Sequence, residues 1–287
     1  MSKAVSAVVC AVLLSVVCSG AYGKPRGDQW TLGIGAFWAE LDSELDARFV
    51  GSNKIRHVDL EDDLNLKEST VSPFIEVSYR LDERHAFSLN YINLNRSGTN
   101  SGITKPFDFT FDGVDYTVTA DATLRTKLDI DIFQLVYGYT FYPSDNTMLA
   151  LTAGMHVMRF GLAFSGDIAL INEDESGDRV TIPIAENEVL DGKATAPLPD
   201  FGLFATYDFG DGWIALANTQ YFAISLDDFS GSLIDARLEF SKQITDRLAV
   251  GVAYQYYNAN VDSFGLLADL SVNFNYYGPE LSMRYFF

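Results

Sequence analysis

Three observations predict the fold class. Ten segments alternate apolar and polar or small residues with period two, the connections between them switch between tight and long, and the N-terminus carries an export signal. Together they point to an all-β chain: a transmembrane antiparallel up-and-down β-barrel with short periplasmic turns and long extracellular loops. The strand count is ten, within a range of eight to twelve. No long 3.6-residue pattern follows the signal, and 21 Phe and 15 Tyr favour strands over helices.

Residues 1–23 read as a cleaved signal peptide: Lys3, an apolar run from Ala4 to Cys18, then Ala21-x-Gly23 before Lys24. The apolar run is shorter than the ~20 residues of a spanning helix. Residues 24–287 then form one barrel domain. The first strand, Trp30 to Trp38, sets Trp30, Leu32, Ile34, Ala36 and Trp38 on one face and Thr31, Gly33 and Gly35 on the other. Val71 to Leu81 repeats the pattern, with Ser72, Glu76, Ser78 and Arg80 opposite the apolar face. Ala86–Arg96, Leu128–Tyr142, Met148–Phe164 and Ala196–Phe209 follow, then Trp213–Ile224, Leu233–Lys242, Leu248–Asn258 and Leu266–Phe287.

Tight polar connections lie at 82–85, 143–146, 210–212 and 243–247, all of turn composition. Long ones lie at 39–70, 97–127 and 165–195, with smaller ones at 225–232 and 259–265. Four tight turns plus two chain ends on one side give ten strands. Aromatics near strand ends (Tyr139, Phe141, Tyr142, Phe209, Trp213, Tyr254, Tyr256, Tyr257, Tyr276, Tyr277) suit two interfacial belts. A soluble β-sandwich would also alternate, but its solvent face would be charged rather than small and mixed. Within the third connection, Pro106 to Thr119 holds two alternating runs about Asp112-Gly113, which predicts a hairpin that extends the barrel wall or offers a binding edge.

The charge balance is strongly acidic, 39 Asp and Glu against 20 Lys and Arg, a net −19. Such a chain does not bind nucleic acid through phosphates. Both cysteines, Cys10 and Cys18, lie in the signal, so disulfide and thiolate chemistry are excluded from the mature chain. The acids concentrate in the loops, as in Glu61-Asp62-Asp63 and Glu173-Asp174-Glu175. Oxygen ligands of this kind suit loosely bound Ca²⁺ or Mg²⁺, which could bridge to lipopolysaccharide phosphates, but no spaced calcium loop is present. No resident cofactor or metal site is expected. Lys54, Arg56, Arg96, Lys105, Arg125 and Lys127 are rim-side cations that could meet lipid phosphates directly.

The chain finishes on ELSMRYFF, with Leu281, Met283, Tyr285 and Phe287 on one face. In this it resembles the bacterial outer-membrane β-barrel proteins, whose last strand carries alternate apolar residues and a terminal Phe. The likeness extends over residues 30–287 as strand rhythm. It implies residence in the outer membrane of a Gram-negative cell, contact with membrane lipid and lipopolysaccharide, and recognition of those four residues by the barrel-assembly machinery. A monomer is expected.

Phase sends Glu76, Arg80, Asp235, Arg237, Glu239, Glu280, Arg284 and His156 into the lumen. A ten-stranded lumen is narrow, so these charges should pair. Paired, they either fill the lumen and fix register or line a narrow polar channel. Catalysis has weaker support. A protease resembling the ten-stranded omptins would need Asp-x-His on a strand rim, which is missing here; Asp59 near His57, with Asp129 and Asp131, is the nearest approach. Ser165 is nine residues from His156. No catalytic residue is assigned. The expected role is structural or surface-interacting, through acidic extracellular loops; a narrow solute channel is the alternative, and a rim hydrolase the third reading.

Overall fold

The computed structural model describes residues 29–48, 55–103, 106–111, 114–173, 178–226, 229–264 and 269–287. The signal peptide, Lys54, Lys105 and the Asp112-Gly113 turn lie outside them. Fifteen strands follow in order: β1 (Trp30–Arg48), β2 (Ile55–Asp59), β3 (Ser69–Arg80), β4 (His85–Ser101), β5 (Phe107–Phe111), β6 (Val114–Val118), β7 (Thr123–Pro143) and β8 (Thr147–Gly166). They continue as β9 (Ala169–Glu173), β10 (Arg179–Pro183), β11 (Leu190–Gly210), β12 (Trp213–Leu226), β13 (Phe229–Thr245), β14 (Leu248–Phe264) and β15 (Asp269–Phe286).

Ten strands, β1, β3, β4, β7, β8 and β11 to β15, pair antiparallel with their neighbours and close through β15 and β1. Each overlaps one of the ten segments read from the sequence; β3 stops one residue short of Leu81, and residues 266–268 lie outside the described residues. The closing seam runs from Thr31 opposite Phe286 to Ala47 opposite Leu270. At its foot, the backbone N–H groups of Trp30 and Phe287 donate to each other's carbonyl oxygens at 3.0 Å. Closure leaves no unpaired edge in lipid, where an orphaned backbone group would cost several kcal/mol.

Alternation decides which face meets lipid. Leu32, Ile34, Ile75, Leu135, Leu151, Leu203, Leu238, Val252, Leu281 and Met283 all point outward and are exposed, an apolar band around the wall. In water such a band would drive aggregation, whereas in a bilayer it is the solvated surface.

The strands are longer than the membrane needs. β7 and β11 run 21 residues each and β8 runs 20, against the ~9–11 of a tilted spanning strand. The ends of what reads as long loop, at 39–70, 97–127 and 165–195, are therefore wall continuing beyond the bilayer. β2 takes over beside the upper part of β1 where β3 leaves off. The 106–119 hairpin forms as β5 and β6 but does not extend the wall. It joins β9 and β10 in a separate four-stranded sheet, with Tyr116 opposite Leu170. The physical reason is that the next long connection supplies a second hairpin, and β6 pairs with that.

The extracellular half of the lumen is a packed apolar core. Phe37, Leu94, Ile130, Met158, Leu198, Leu233, Tyr257, Phe274 and Tyr276 come from different walls, and none is more than 2% exposed. Tyr257 and Tyr276 stack with ring centroids 4.6 Å apart and planes at 10°, and the Tyr257 hydroxyl donates to Met158 Sδ at 3.1 Å. These two tyrosines are thus lumen residues and not members of an interfacial belt. Their even–odd phase puts them inside, and position near a strand end does not override phase. Leu60, Leu64, Leu66, Ile103, Val118 and Ile168 continue the same core upward under the loops.

Candidate functional site

Below the apolar core the lumen turns polar, because the inward positions of β3, β8, β11, β13 and β15 become acids, arginines and a histidine. Arg284 is the centre of one group. Its guanidinium forks onto Glu239, with one contact at 2.8 Å, and reaches Glu76 at 3.3 Å. Arg237 lies beside it, with Nε donating to Glu280 at 2.7 Å and Nη2 2.7 Å from Glu239. Glu239 is fully buried and shared by both guanidiniums, the planar forked geometry that arginine favours.

The second group is built on His156, which is 1% exposed. Its Nδ1 lies 2.9 Å from Asp200 and its Nε2 3.5 Å from Asp235. Asp235 also accepts from Gln255 at 2.9 Å and from Gln134 at 3.5 Å. Gln134 donates to Gln220 and accepts from Asn90 at 2.8 Å. Across the two groups, five carboxylates (Glu76, Asp200, Asp235, Glu239 and Glu280) share two guanidiniums and one imidazole. The polar floor is therefore acid-rich, and its charges are engaged chiefly with one another.

Between this floor and the tight turns lies a cavity of about 580 Å³. It runs from Asp82–His85 and Pro143–Ser144 at the turn side up to His156, Asp235 and Tyr276. Of the eight lumen charges expected from phase, seven meet in the two groups. The eighth, Arg80, borders the cavity at its mouth, is exposed, and makes no ion pair among the described residues. Leu281, Met283, Tyr285 and Phe287 face outward along the last strand and are each 43–53% exposed.

One expectation among the rim cations is corrected. Arg96 is not a lipid-facing cation: it is 3% exposed, points into the barrel, and is held by Glu61 and by Ser43 Oγ at 2.6 Å. Its even phase on β4 sets that direction, and the first long connection folds over it. Arg125 and Lys127 do face outward, with Lys127 2.6 Å from Asp129. Ser165 and His156 have opposite phase on β8, so they lie on opposite faces of the wall. Asp131 accepts from Tyr91 and Asn93 at 2.8 and 2.7 Å, and His57 sits on β2 opposite Asp46. Among the described residues no group of three or more His, Cys, Asp or Glu could hold a metal ion.

Comparison with solved structures places the architecture. The chain is similar to the outer membrane protease OmpT from Escherichia coli, with TM-score 0.56 and 13% identity over 94% of this chain and 99% of that one. The fold is that of an outer-membrane β-barrel. More distant likenesses are the Pseudomonas putida toluene transporter TodX (TM-score 0.37, 9% identity, 91% of each chain) and the attachment invasion locus protein Ail of Yersinia pestis (TM-score 0.29, 7% identity, 89% and 98%). No protein-family model and no curated protein matches the sequence. This outer-membrane barrel also owes its lumen to residues that the sequence reading did not single out. Asp200, Gln134 and Gln220 carry much of the histidine group, and Asp200 is obscured in the sequence by Pro197 and Pro199 just before it. Its even phase, shared with Leu198, is the signal that locates it.

Proposed function

We propose that this outer-membrane barrel is non-conducting and presents an acidic surface to the cell exterior, where it meets lipopolysaccharide through divalent cations. The observation that carries the reading is the lumen. From Phe37 to Tyr276 the extracellular half is packed with side chains that are at most 2% exposed, a cross-section with no room for a solute. The narrow-channel alternative would need that core to open. Hydrolysis has less support, since both ring nitrogens of His156 already meet carboxylates, which leaves neither free to take a proton from a nucleophile.

The exterior supports the rest. Glu40 and Asp42 on the upper part of β1, and Asp62 and Glu68 between β2 and β3, are exposed. Against phosphates of like charge such a surface needs an intervening cation. The outward apolar face of β15, from Leu281 to Phe287, is the segment we assign to the assembly machinery.

Planar-bilayer recording on the refolded, heat-modifiable barrel tests the first half: no unitary conductance is expected, and discrete openings would sink the reading. Co-migration with purified lipopolysaccharide tests the second. It is expected in millimolar Mg²⁺ and is expected to disappear with EDTA; binding that survives EDTA would remove the cation bridge.

A further inference from the structure

The barrel wall is not sealed all the way up. β3 and β4 pair from Arg80 opposite Ala86 to Phe74 opposite Ile92, and the ladder stops there. The next residue on β3 is Pro73, which brings no N–H to a ladder. Beyond it, among the described residues, Ser69–Pro73 pair only with β1 and Asn93–Ser97 only with β7. Across the closing seam at the same height, pairing passes from Phe37–Glu280 to Glu40–Tyr277 over Pro279, a second residue without an N–H. The parted strands line a fissure of about 630 Å³, which opens outward past Trp38, Val71 and Pro279. Trp38 and Tyr254, both about half exposed, flank Pro279 and set this height at the extracellular interface, above the apolar chains.

The lining selects the ligand. Lys67 and Lys127 are both exposed at the fissure. Lys67 makes no ion pair among the described residues, and the pair of Lys127 with Asp129 is itself open to solvent. The carboxylate in the lining, Glu40, is met by the Tyr277 hydroxyl. Ser69, Asn95 and Ser97 add neutral donors. Below the opening, Trp38 and Val71 lead into the lipid-facing band at Ile34 and Ile75. We propose that the fissure holds an anionic glycerophospholipid from the surrounding leaflet. Its phosphate lies between Lys67, Lys127 and the parted strand edges, and one acyl chain runs over Trp38 and Val71 onto the band. A space of this volume takes one phosphodiester and the start of one chain, whereas the sugars and many chains of a glycolipid would stay outside. The site belongs to the wall, so it stands whether or not the acidic loops meet lipopolysaccharide through cations, and chelation separates the two.

Trp38 is itself the reporter, since Trp30→Phe and Trp213→Phe leave it as the single tryptophan. The full barrel is refolded in phosphatidylcholine vesicles, with folding checked by heat-modifiable migration. Phosphatidylglycerol or phosphatidylcholine with brominated chains is then added at equal mole fraction, and quenching of Trp38 is read. The net charge of −19 repels anionic lipid overall, so a preference for it at Trp38 is local. Phosphatidylglycerol is expected to associate there about fivefold more tightly for each lysine engaged, with or without EDTA. Lys67→Gln and Lys127→Gln should each reduce that preference, and the double variant should remove it. Lys242→Gln, at the turn-side end of β13, should leave it unchanged. Equal quenching by the two lipids, a preference lost in EDTA, or one retained in the double variant overturns the proposal. An equal loss in Lys242→Gln does so too, because only overall charge would then be at work. Displacement of the brominated phosphatidylglycerol by an equal mole fraction of lipopolysaccharide overturns it by giving the fissure to the glycolipid.

Discussion

At the scale of single residues, the lumen shows why a buried charge is tolerated only in company. Arg284 serves Glu239 and Glu76 at once, so its loss leaves the fully buried Glu239 with Arg237 alone and takes the nearest cation from Glu76. Arg284→Met is expected to cost about 3–5 kcal/mol, read from urea unfolding of the barrel in lipid vesicles. Glu76→Gln should cost less, because Glu76 is one-fifth exposed and its carboxylate has water as well as Arg284. A loss of stability below about 1 kcal/mol in Arg284→Met would mean the guanidinium network contributes little beyond exposed pairs. Outside the membrane, Asp82 shows the same logic through the backbone. The N–H groups of Arg84 and His85 both donate to Oδ1 at 2.8 Å, and the Arg84 N–H in particular holds the carboxyl below its ordinary value. The folded group has the lower pKa, so its contribution is present above the unfolded value and is lost as pH falls through the folded one. Amide exchange at Arg84 and His85 is therefore expected to accelerate below the ordinary Asp range in the native barrel and to lose that pH step in Asp82→Asn.

At the scale of elements, period-two alternation made the ten strands legible, because it is local and needs no knowledge of partners. Leu32 and Leu281 could be assigned to lipid from their own segments alone, and they face it. Height in the barrel was not legible. Tyr257 and Tyr276 read as belt residues until strand length and register carried them to the lumen centre. Arg96 read as a rim cation because its burial depends on a loop folding back, which no local pattern records. The β5–β6 hairpin was legible as a hairpin but not as a member of a second sheet, since its partner β9 lies far along the chain. One check works strand by strand. Leu238, near the middle of β13 and half exposed to lipid, should cost about 2–4 kcal/mol when replaced by Arg, while Phe209→Arg at the turn-side end of β11 should cost about 0–1. Equal costs at the two sites would mean the membrane sits elsewhere on the wall.

At the scale of the whole molecule, the barrel is divided along its axis into a dry extracellular half and a polar, hollow periplasmic half. The apolar half and the loops above it form one cluster from Leu60 to Tyr276. In the proposed non-conducting barrel, solute enters from the periplasmic side alone, where the cavity lies. Shortening the extracellular hairpins should then alter surface binding without touching the cavity.

The stopper in this barrel is made of the wall itself. Phe37, Met158, Leu198, Leu233 and Tyr257 each belong to a different strand of the cylinder, so no separate piece can be pulled out like a cork. An empty tube of ten strands can flatten under sideways load, since its opposite walls meet no resistance. Where the walls are braced by interlocked side chains, in the extracellular half, the tube resists compression as a protein interior does. The outer part of the membrane therefore meets a stiffer wall than the inner part, and lateral pressure on that part of the wall is carried across to the opposite strands.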